Sequence, residues 1–205
     1  MVENKYRNKY RIPSARLAGW DYGSNGMYYV TICTKDRNRY FGEIVSTRVS
    51  DKQPATDISN ADASIEDASI GDASIASLRA TEIGIVALNN WQNIPVFHPY
   101  VELDDFVIMP DHIHGILCID KPDKTNWEVN KFGVQRENLA SILRGFKSSV
   151  TKYSNTNNIE FCWQPRYYDR VIRDEKEYWN IKMYIQDNPD QWFLNKEDFD
   201  NLFKP

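Results

Sequence analysis

The chain has 205 residues, of which 41% are hydrophobic, 13% aromatic and 26% charged, which is typical of one globular domain and excludes a disordered or collagen-like chain. Its formal net charge of -4 is too small to identify the charge of a partner. No apolar run is long enough to span a membrane, for which about 18 residues are needed, and the N-terminal segment is polar. We therefore expect a cytoplasmic protein that makes no membrane contact. Three widely spaced cysteines predict free thiols.

One segment differs from the rest of the chain in composition. Residues 51–77 contain six acidic residues and one lysine, a local net charge of -5, so the remaining residues sum to about +1. The sequence Asp-Ala-Ser-Ile occurs there three times with a five-residue period, which fits neither a helix nor a strand. We expect residues 48–77 to form a mobile surface insertion within a single domain spanning 1–194, with a C-terminal tail over 195–205.

The remaining chain alternates between strand and helix periodicity. In chain order the pattern predicts a strand over Tyr28–Cys33, a helix from Glu82 to Ile94 closed by Pro95, a hairpin of strands Val101–Met109 and His112–Ile119, a helix over 139–150, a strand over Tyr167–Ile172, and a helix from Asp174 to the residue before Pro189. The order βαββαβ plus one helix predicts an α+β, ferredoxin-like fold. In that fold an antiparallel sheet carries two helices on one face.

Two histidines are the first feature with chemical content. His112 and His114 stand two residues apart on a predicted strand, so both side chains project from the same face of the sheet. Ile113 points the other way, toward the helices, so the histidines lie on the opposite face. Two neighbouring imidazoles can bind a divalent metal. The last predicted helix offers Asn188 one turn after Tyr184, and it can present both side chains toward such a metal.

Four sequence blocks around these residues together resemble a known family. The blocks are Met109–Gly115 (MPDHIHG), Leu143–Ser148 (LRGFKS), Trp163–Asp169 (WQPRYYD) and Tyr184–Pro189 (YIQDNP). In this order they resemble the single-tyrosine HUH transposases, and most closely the REP-associated tyrosine transposases. The resemblance extends from about residue 28 to about residue 192 and is interrupted by the acidic insertion.

The resemblance implies a reaction and a role for each matched residue. By position, Tyr184 is the nucleophile, and His112, His114 and Asn188 bind a divalent metal, Mg²⁺ or Mn²⁺. The implied activity is cleavage and rejoining of single-stranded, hairpin-forming repeat DNA through a 5′-phosphotyrosine intermediate. Asn188 matches the REP-associated branch, whereas insertion-sequence members commonly carry glutamine at this position. The resemblance leaves open whether the protein is a monomer or a homodimer and which group accepts the tyrosine proton.

Basic residues near the matched blocks are candidates for binding DNA phosphates. Arg144, Lys147 and Lys152 lie on the second predicted helix, and Arg166 and Arg170 lie around the following strand. Solvated surface bases would produce the same pattern. The sequence alone therefore supports these five residues as DNA-binding candidates and does not select among them.

Three other functions are compatible with the same residues. A metal-dependent phosphoesterase would use His112 and His114 to hold a metal that activates water. A DNA-binding protein that recognises hairpins without cutting them needs neither histidine. A structural zinc site would combine the two histidines with Cys118 on the same strand face, although such sites usually have four protein ligands.

Overall fold

The computed structural model describes residues 17, 19–45, 78–126 and 136–192, with the backbone of 5–6 and 9–10. The predicted insertion and the predicted tail lie outside the described residues. In the described part the strands are β1 (Lys5–Tyr6), β2 (Lys9–Tyr10), β3 (Gly26–Cys33), β4 (Gly42–Ile44), β5 (Leu78–Ala80), β6 (Val101–Met109), β7 (His112–Ile119) and β8 (Tyr168–Ile172). The α-helices are α1 (Glu82–Gln92), α2 (Ile94–Phe97), α3 (Leu139–Thr156) and α4 (Glu175–Gln191).

The centre of the molecule is a four-stranded sheet in the order β6-β7-β3-β8, with every neighbouring pair antiparallel. Helix α1 connects the first central strand to the hairpin β6-β7, and α3 connects that hairpin to the edge strand β8. The predicted mixture of helices and an antiparallel sheet is confirmed. Strand pairing places His112 opposite Cys33 and His114 opposite Thr31, so both histidines lie at the end of the sheet where β3 finishes.

The two faces of this sheet bury different side chains. On β7, Ile113, Leu117 and Ile119 join the large core formed with α1 and α3. Ile116 points to the other face, where it packs with residues of α4 such as Ile185. Helices therefore cover both faces, and the histidines lie on the face that α4 covers. Among the described helices none has the length and apolar character needed to cross a membrane.

The sequence predicts that one helix ends before Pro95 and another before Pro189. In the structure both prolines lie inside helical turns. Helix α1 ends at Gln92, and Pro95 belongs to the first turn of α2, where its missing N–H has no helical partner to lose. The prediction that α4 ends before Pro189 is wrong, because the helix continues to Gln191. Pro189 stands in the last turn, where it removes one backbone hydrogen bond, and its buried ring packs against the body of the protein.

Helix α4 is held against the sheet along one flank. Strand β6 shifts its register between residues 103 and 106, and Asp104 and Asp105 lie at this irregularity. The Tyr178 hydroxyl donates to Asp104 Oδ2 at 2.8 Å, and Lys182 Nζ donates to Asp104 Oδ1 at 3.0 Å. One turn later, Gln186 Nε2 donates to Asp105 Oδ2 at 2.6 Å. These bonds set the rotation of the helix, so its opposite flank faces the histidines.

Candidate active site

The two histidines form a close pair under α4. The centroids of the His112 and His114 rings are 4.4 Å apart, and the residues are 5% and 2% exposed. Both project from the same face of β7, as their spacing predicts. Two buried imidazoles this close together can bind the same ion through their ring nitrogens.

Helix α4 brings the tyrosine and the amide to this pair. The Tyr184 hydroxyl lies 3.5 Å from His114 Nε2, and the two rings meet edge to face with centroids 5.1 Å apart. The Asn188 side chain, one turn later, is close enough to His112 to act on its pKa, which it raises. The structure thus gathers the predicted nucleophile and the three predicted metal ligands at one point of a single chain.

The second nitrogen of each imidazole is already occupied. His112 Nδ1 lies 2.6 Å from Asp111 Oδ1. His114 Nδ1 lies 2.8 Å from the Tyr29 hydroxyl and 2.9 Å from Thr31 Oγ1. These contacts leave Nε2 of each ring as the nitrogen available to a ligand. Hydrogen bonds of this kind orient metal-binding histidines in many proteins.

Burial keeps both imidazoles neutral. Desolvation lowers the pKa of His112 below its usual value, although the hydrogen bond to Asp111 opposes this change. Burial lowers the pKa of His114 well below the usual value, and repulsion by the Arg37 charge, and by His112 whenever that ring is also protonated, adds to the effect. Neutral imidazole is the form that binds metals.

The donor atoms suit a hard or borderline divalent cation. Two imidazole nitrogens and the amide oxygen of Asn188 make a nitrogen- and oxygen-only set that leaves coordination positions for water or phosphate. In the described part of the chain, no group of three His, Cys, Asp or Glu residues could hold a metal. Cys118 lies at the other end of β7, opposite Met27, roughly 13 Å along the strand from His114. The zinc site with Cys118 is therefore excluded.

Four of the five predicted DNA-binding bases line one groove. Arg144, Lys147, Lys152 and Arg166 surround a groove of about 700 Å³ between α3 and the segment before β8, with Tyr167 at its edge. The side chains of Arg144, Lys152 and Arg166 are exposed and form no ion pair with another described residue. The groove therefore carries three charges available to an anionic partner.

The other two predicted bases, Lys147 and Arg170, are bonded to other groups of the protein. Lys147 Nζ donates to the backbone carbonyls of Gln164 at 2.8 Å and Arg166 at 3.0 Å, so this residue also supports the groove wall. Arg170 is paired with the Glu177 carboxylate on α4. The structure thus separates Arg170 from the groove and places it on the α4 side of the sheet.

Comparison with known proteins adds to this geometry. No protein-family model matches the chain. An uncharacterized protein of Haemophilus influenzae is 33% identical over 188 residues, which cover 87% of this chain and 88% of that protein. The two proteins belong to one family. A REP-associated tyrosine transposase of Escherichia coli is 28% identical over 88 residues, 43% of this chain and 44% of that protein. The predicted resemblance to the REP-associated tyrosine transposases is confirmed.

Most of the chain also aligns with a solved structure. A REP-associated tyrosine transposase bound to a REP hairpin aligns with a TM-score of 0.48 and 17% identity, covering 92% of this chain and 76% of that chain.

Several residues of this site are not predicted by the sequence. Asp111 directly precedes His112, and a carboxylate beside a candidate metal ligand is a recognisable sign of a supporting role. Thr31 and Tyr29 reach His114 only through the pairing of β3 with β7. Arg37, whose Nε lies 3.0 Å from Asp111 Oδ2, comes from a turn far from the histidines in sequence. No short motif identifies the last three contacts.

Proposed function

We propose that the protein is a metal-dependent transposase of the REP-associated type, built on a ferredoxin-like core, that cuts and rejoins single-stranded DNA through Tyr184. The observation that carries the proposal is the Tyr184 hydroxyl 3.5 Å from His114 Nε2, beside a second imidazole and an amide. The Escherichia coli relative, a REP-associated tyrosine transposase, supports DNA cleavage as the class of reaction and repeat DNA as the substrate.

The reaction uses the tyrosine as a nucleophile. His112, His114 and Asn188 would hold Mg²⁺ or Mn²⁺, which when bound neutralises charge on the scissile phosphate and favours in-line attack. The Tyr184 oxygen forms a bond to phosphorus as the bond from phosphorus to the 3′ oxygen breaks. The phenol loses a proton and the departing 3′ oxygen gains one, so proton and charge balance are kept. Attack by another 3′-hydroxyl reverses these steps and rejoins DNA without an external energy source.

DNA binding is assigned to the basic groove. Arg144, Lys152 and Arg166 would contact phosphates, and Lys147 would contribute charge while supporting the wall. Arg170 stays a candidate for a separate phosphate contact on the α4 side. Because one chain brings together the nucleophile and all proposed ligands, the proposed active unit is a monomer; the sequence also allowed a homodimer.

The test is a covalent adduct assay. Wild type is incubated with labelled single-stranded hairpin DNA from the flanks of its own gene, with Mg²⁺, Mn²⁺ or a chelator. We expect a metal-dependent adduct on a denaturing gel and its loss in Tyr184→Phe. Tyr153→Phe is the matched control, because Tyr153 lies on α3 and its hydroxyl donates to Glu82, away from α4. This variant should keep forming the adduct.

Either of two outcomes would contradict the proposal and favour a different function. Hydrolysis of small phosphodiesters that survives Tyr184→Phe would indicate a phosphoesterase that activates water. Hairpin binding that is unaffected by alanine at His112 and His114, together with no cleavage under any metal, would indicate a DNA-binding protein without catalytic activity.

A further inference from the structure

We propose that Asp111 and Arg37 are a positioning pair that keeps the proton of His112 on Nδ1 and thereby leaves Nε2 as the ligand atom. The inference rests on the proposed metal site. The Asp111 carboxylate uses both oxygens: Oδ1 lies 2.6 Å from His112 Nδ1, and Oδ2 lies 3.0 Å from Arg37 Nε. Carboxylate oxygens accept hydrogen bonds, so this contact favours the imidazole form that donates from Nδ1.

The backbone beneath this carboxylate is held in place. Thr34, which is fully buried, donates from its N–H to the Asp111 carbonyl oxygen at 2.9 Å. Its hydroxyl lies 3.0 Å from the same oxygen and 2.7 Å from the Asn38 carbonyl oxygen. Phe41 N–H donates to the neighbouring Pro110 carbonyl at 3.0 Å. The turn between β6 and β7 is thus bonded to the segment after β3. Asp111 itself is 6% exposed, so its carboxylate has little freedom to leave His112.

Arg37 reaches Asp111 from an unusual backbone conformation. Asp36 and Arg37 have φ angles of 53° and 57°, in the left-handed region that residues other than glycine rarely adopt. Consecutive residues of this kind persist where surrounding contacts hold them, and they occur at functional sites. The guanidinium contacts Asp111 through Nε and Cys33 Sγ through Nη1, both at 3.0 Å. Its Nη2 lies 3.3 Å from His112 Nδ1, a longer contact than the 2.6 Å between Nδ1 and Asp111 Oδ1. These contacts give Arg37 a defined position beside the carboxylate.

Arg37 also determines how a neutral replacement of Asp111 would orient. An asparagine there would turn its carbonyl oxygen toward the Arg37 donor and its NH₂ group toward His112 Nδ1. Nδ1 would then accept a hydrogen bond, and the imidazole proton would move to Nε2. That tautomer has no lone pair on Nε2 for a metal. A merely structural ion pair would leave the tautomer and the metal affinity unchanged.

The histidine pair supplies an internal comparison. His114 Nδ1 faces the hydroxyls of Tyr29 and Thr31, and a hydroxyl can either donate or accept. Those contacts therefore orient the His114 ring without selecting one tautomer as strictly as a carboxylate does. Substitution of Asp111 should consequently change His112 and leave His114 as it is.

The experiment measures the tautomer and the metal affinity separately. Long-range ¹H–¹⁵N NMR of the ¹⁵N-labelled, metal-free protein should find the His112 proton on Nδ1, and Asp111→Asn should move it to Nε2. Mn²⁺ titration followed by electron paramagnetic resonance should give about 10- to 100-fold weaker binding for Asp111→Asn. Asp120→Asn, an exposed site at the other end of β7, is the control and should change neither measurement.

A double variant tests the part played by Arg37. In Asp111→Asn with Arg37→Gln the asparagine is free to rotate, and part of the Nδ1–H tautomer and of the Mn²⁺ affinity should return. The inference is overturned if wild-type His112 carries its proton on Nε2, or if folded Asp111→Asn matches wild type in both measurements. If Asp111→Asn does not fold, the tautomer of His112 in the wild-type protein still tests the inference. None of these measurements requires DNA cleavage, so a failure of the proposed reaction is recognised separately.

Discussion

At the residue scale, the two buried histidines make the free energy of unfolding depend on pH. Burial lowers the pKa of both His112 and His114, whereas an unfolded chain protonates histidine below about pH 6.5. In acid the unfolded state therefore binds more protons than the folded state. By linkage, the free energy of unfolding falls as pH decreases from about 6.5 toward the folded-state pKa values.

A histidine substitution should make this pH dependence shallower. In the metal-free protein, His114→Gln removes the imidazole with the more strongly lowered pKa. Urea denaturation between about pH 7 and pH 5 should show a smaller loss of stability for the variant than for wild type. Equal slopes for the two proteins would contradict the buried, neutral state of His114.

Gly115 should tolerate no side chain. A Cβ at this position would lie 2.4 Å from Cζ2 of the buried Trp91 ring. We expect Gly115→Ala to lower the free energy of unfolding by about 1–3 kcal/mol, measured by urea denaturation. Gly145→Ala is the matched control, because nothing lies within 4 Å of its added methyl group. Alanine in helix α3 should leave stability unchanged or raise it by up to about 1 kcal/mol, and similar results for both variants would be inconsistent with the packing described.

At the element scale, helix α4 makes different contacts along its two flanks. Its apolar residues Ile181 and Ile185 pack on the sheet. One flank bonds to Asp104 and Asp105, and the other carries Tyr184 and Asn188. The rotation that brings the nucleophile to the histidines is thus set by contacts on the far side of the helix.

Removing the contact between Lys182 and Asp104 should loosen the attachment of helix α4 to the sheet. Burial opposes the charge of Lys182, but hydrogen bonds to Tyr178, Asp104 and Asp105 outweigh it and raise the lysine pKa. Burial likewise opposes ionisation of Asp104, and its bonds to Lys182 and Tyr178 lower the carboxyl pKa. A raised lysine pKa stabilises below about pH 10, and a lowered carboxyl pKa stabilises above about pH 4. The contact is therefore at full strength between these limits.

We expect Lys182→Met to lower stability by about 1 kcal/mol at neutral pH and to speed hydrogen exchange in α4. The stability difference should shrink below about pH 4, where Asp104 takes up a proton. Lys176→Met, at an exposed position of the same helix, should change stability by less than about 0.5 kcal/mol. Equal exchange in the two variants would argue against the role given to Lys182.

Elements were predictable from sequence where one periodicity dominates. Alternation over β7 predicted the shared face of the histidines, and a four-residue spacing predicted that Tyr184 and Asn188 lie together. The Pro189 prediction failed because only two helical residues follow the proline, and burial of its ring offsets the one backbone hydrogen bond that it removes. The contact of Arg37 was not predictable, because it depends on two left-handed residues and on a turn brought close by tertiary folding.

At the scale of the whole molecule, local charge matters more than the net charge of -4. The groove beside α3 gathers Arg144, Lys152 and Arg166 on one surface. Each phosphate neutralised by such a residue releases counterions, so binding to this surface should weaken as salt rises.

Replacing these three residues together with glutamine should weaken hairpin binding. The slope of the logarithm of affinity against the logarithm of salt concentration should become shallower by about 2–3. Fluorescence anisotropy over a range of salt concentrations measures both quantities.

A charge-matched control separates location from net charge. Replacing Arg79, Arg173 and Lys176 with glutamine removes the same charge from exposed positions outside the groove. This control should keep nearly the wild-type affinity and slope. Equal losses in the two triple variants would contradict the assignment of the groove.

The most direct test of the central claim is the identity of the residue that becomes linked to DNA. The adduct formed with Mn²⁺ is digested with nuclease and trypsin and examined by mass spectrometry. The tryptic peptide spanning 183–196 contains Tyr184 as its single tyrosine. The account predicts a 5′-nucleotide on this peptide that is absent when a chelator is present. A nucleotide on any other peptide, or cleaved DNA with no modified peptide, would contradict it.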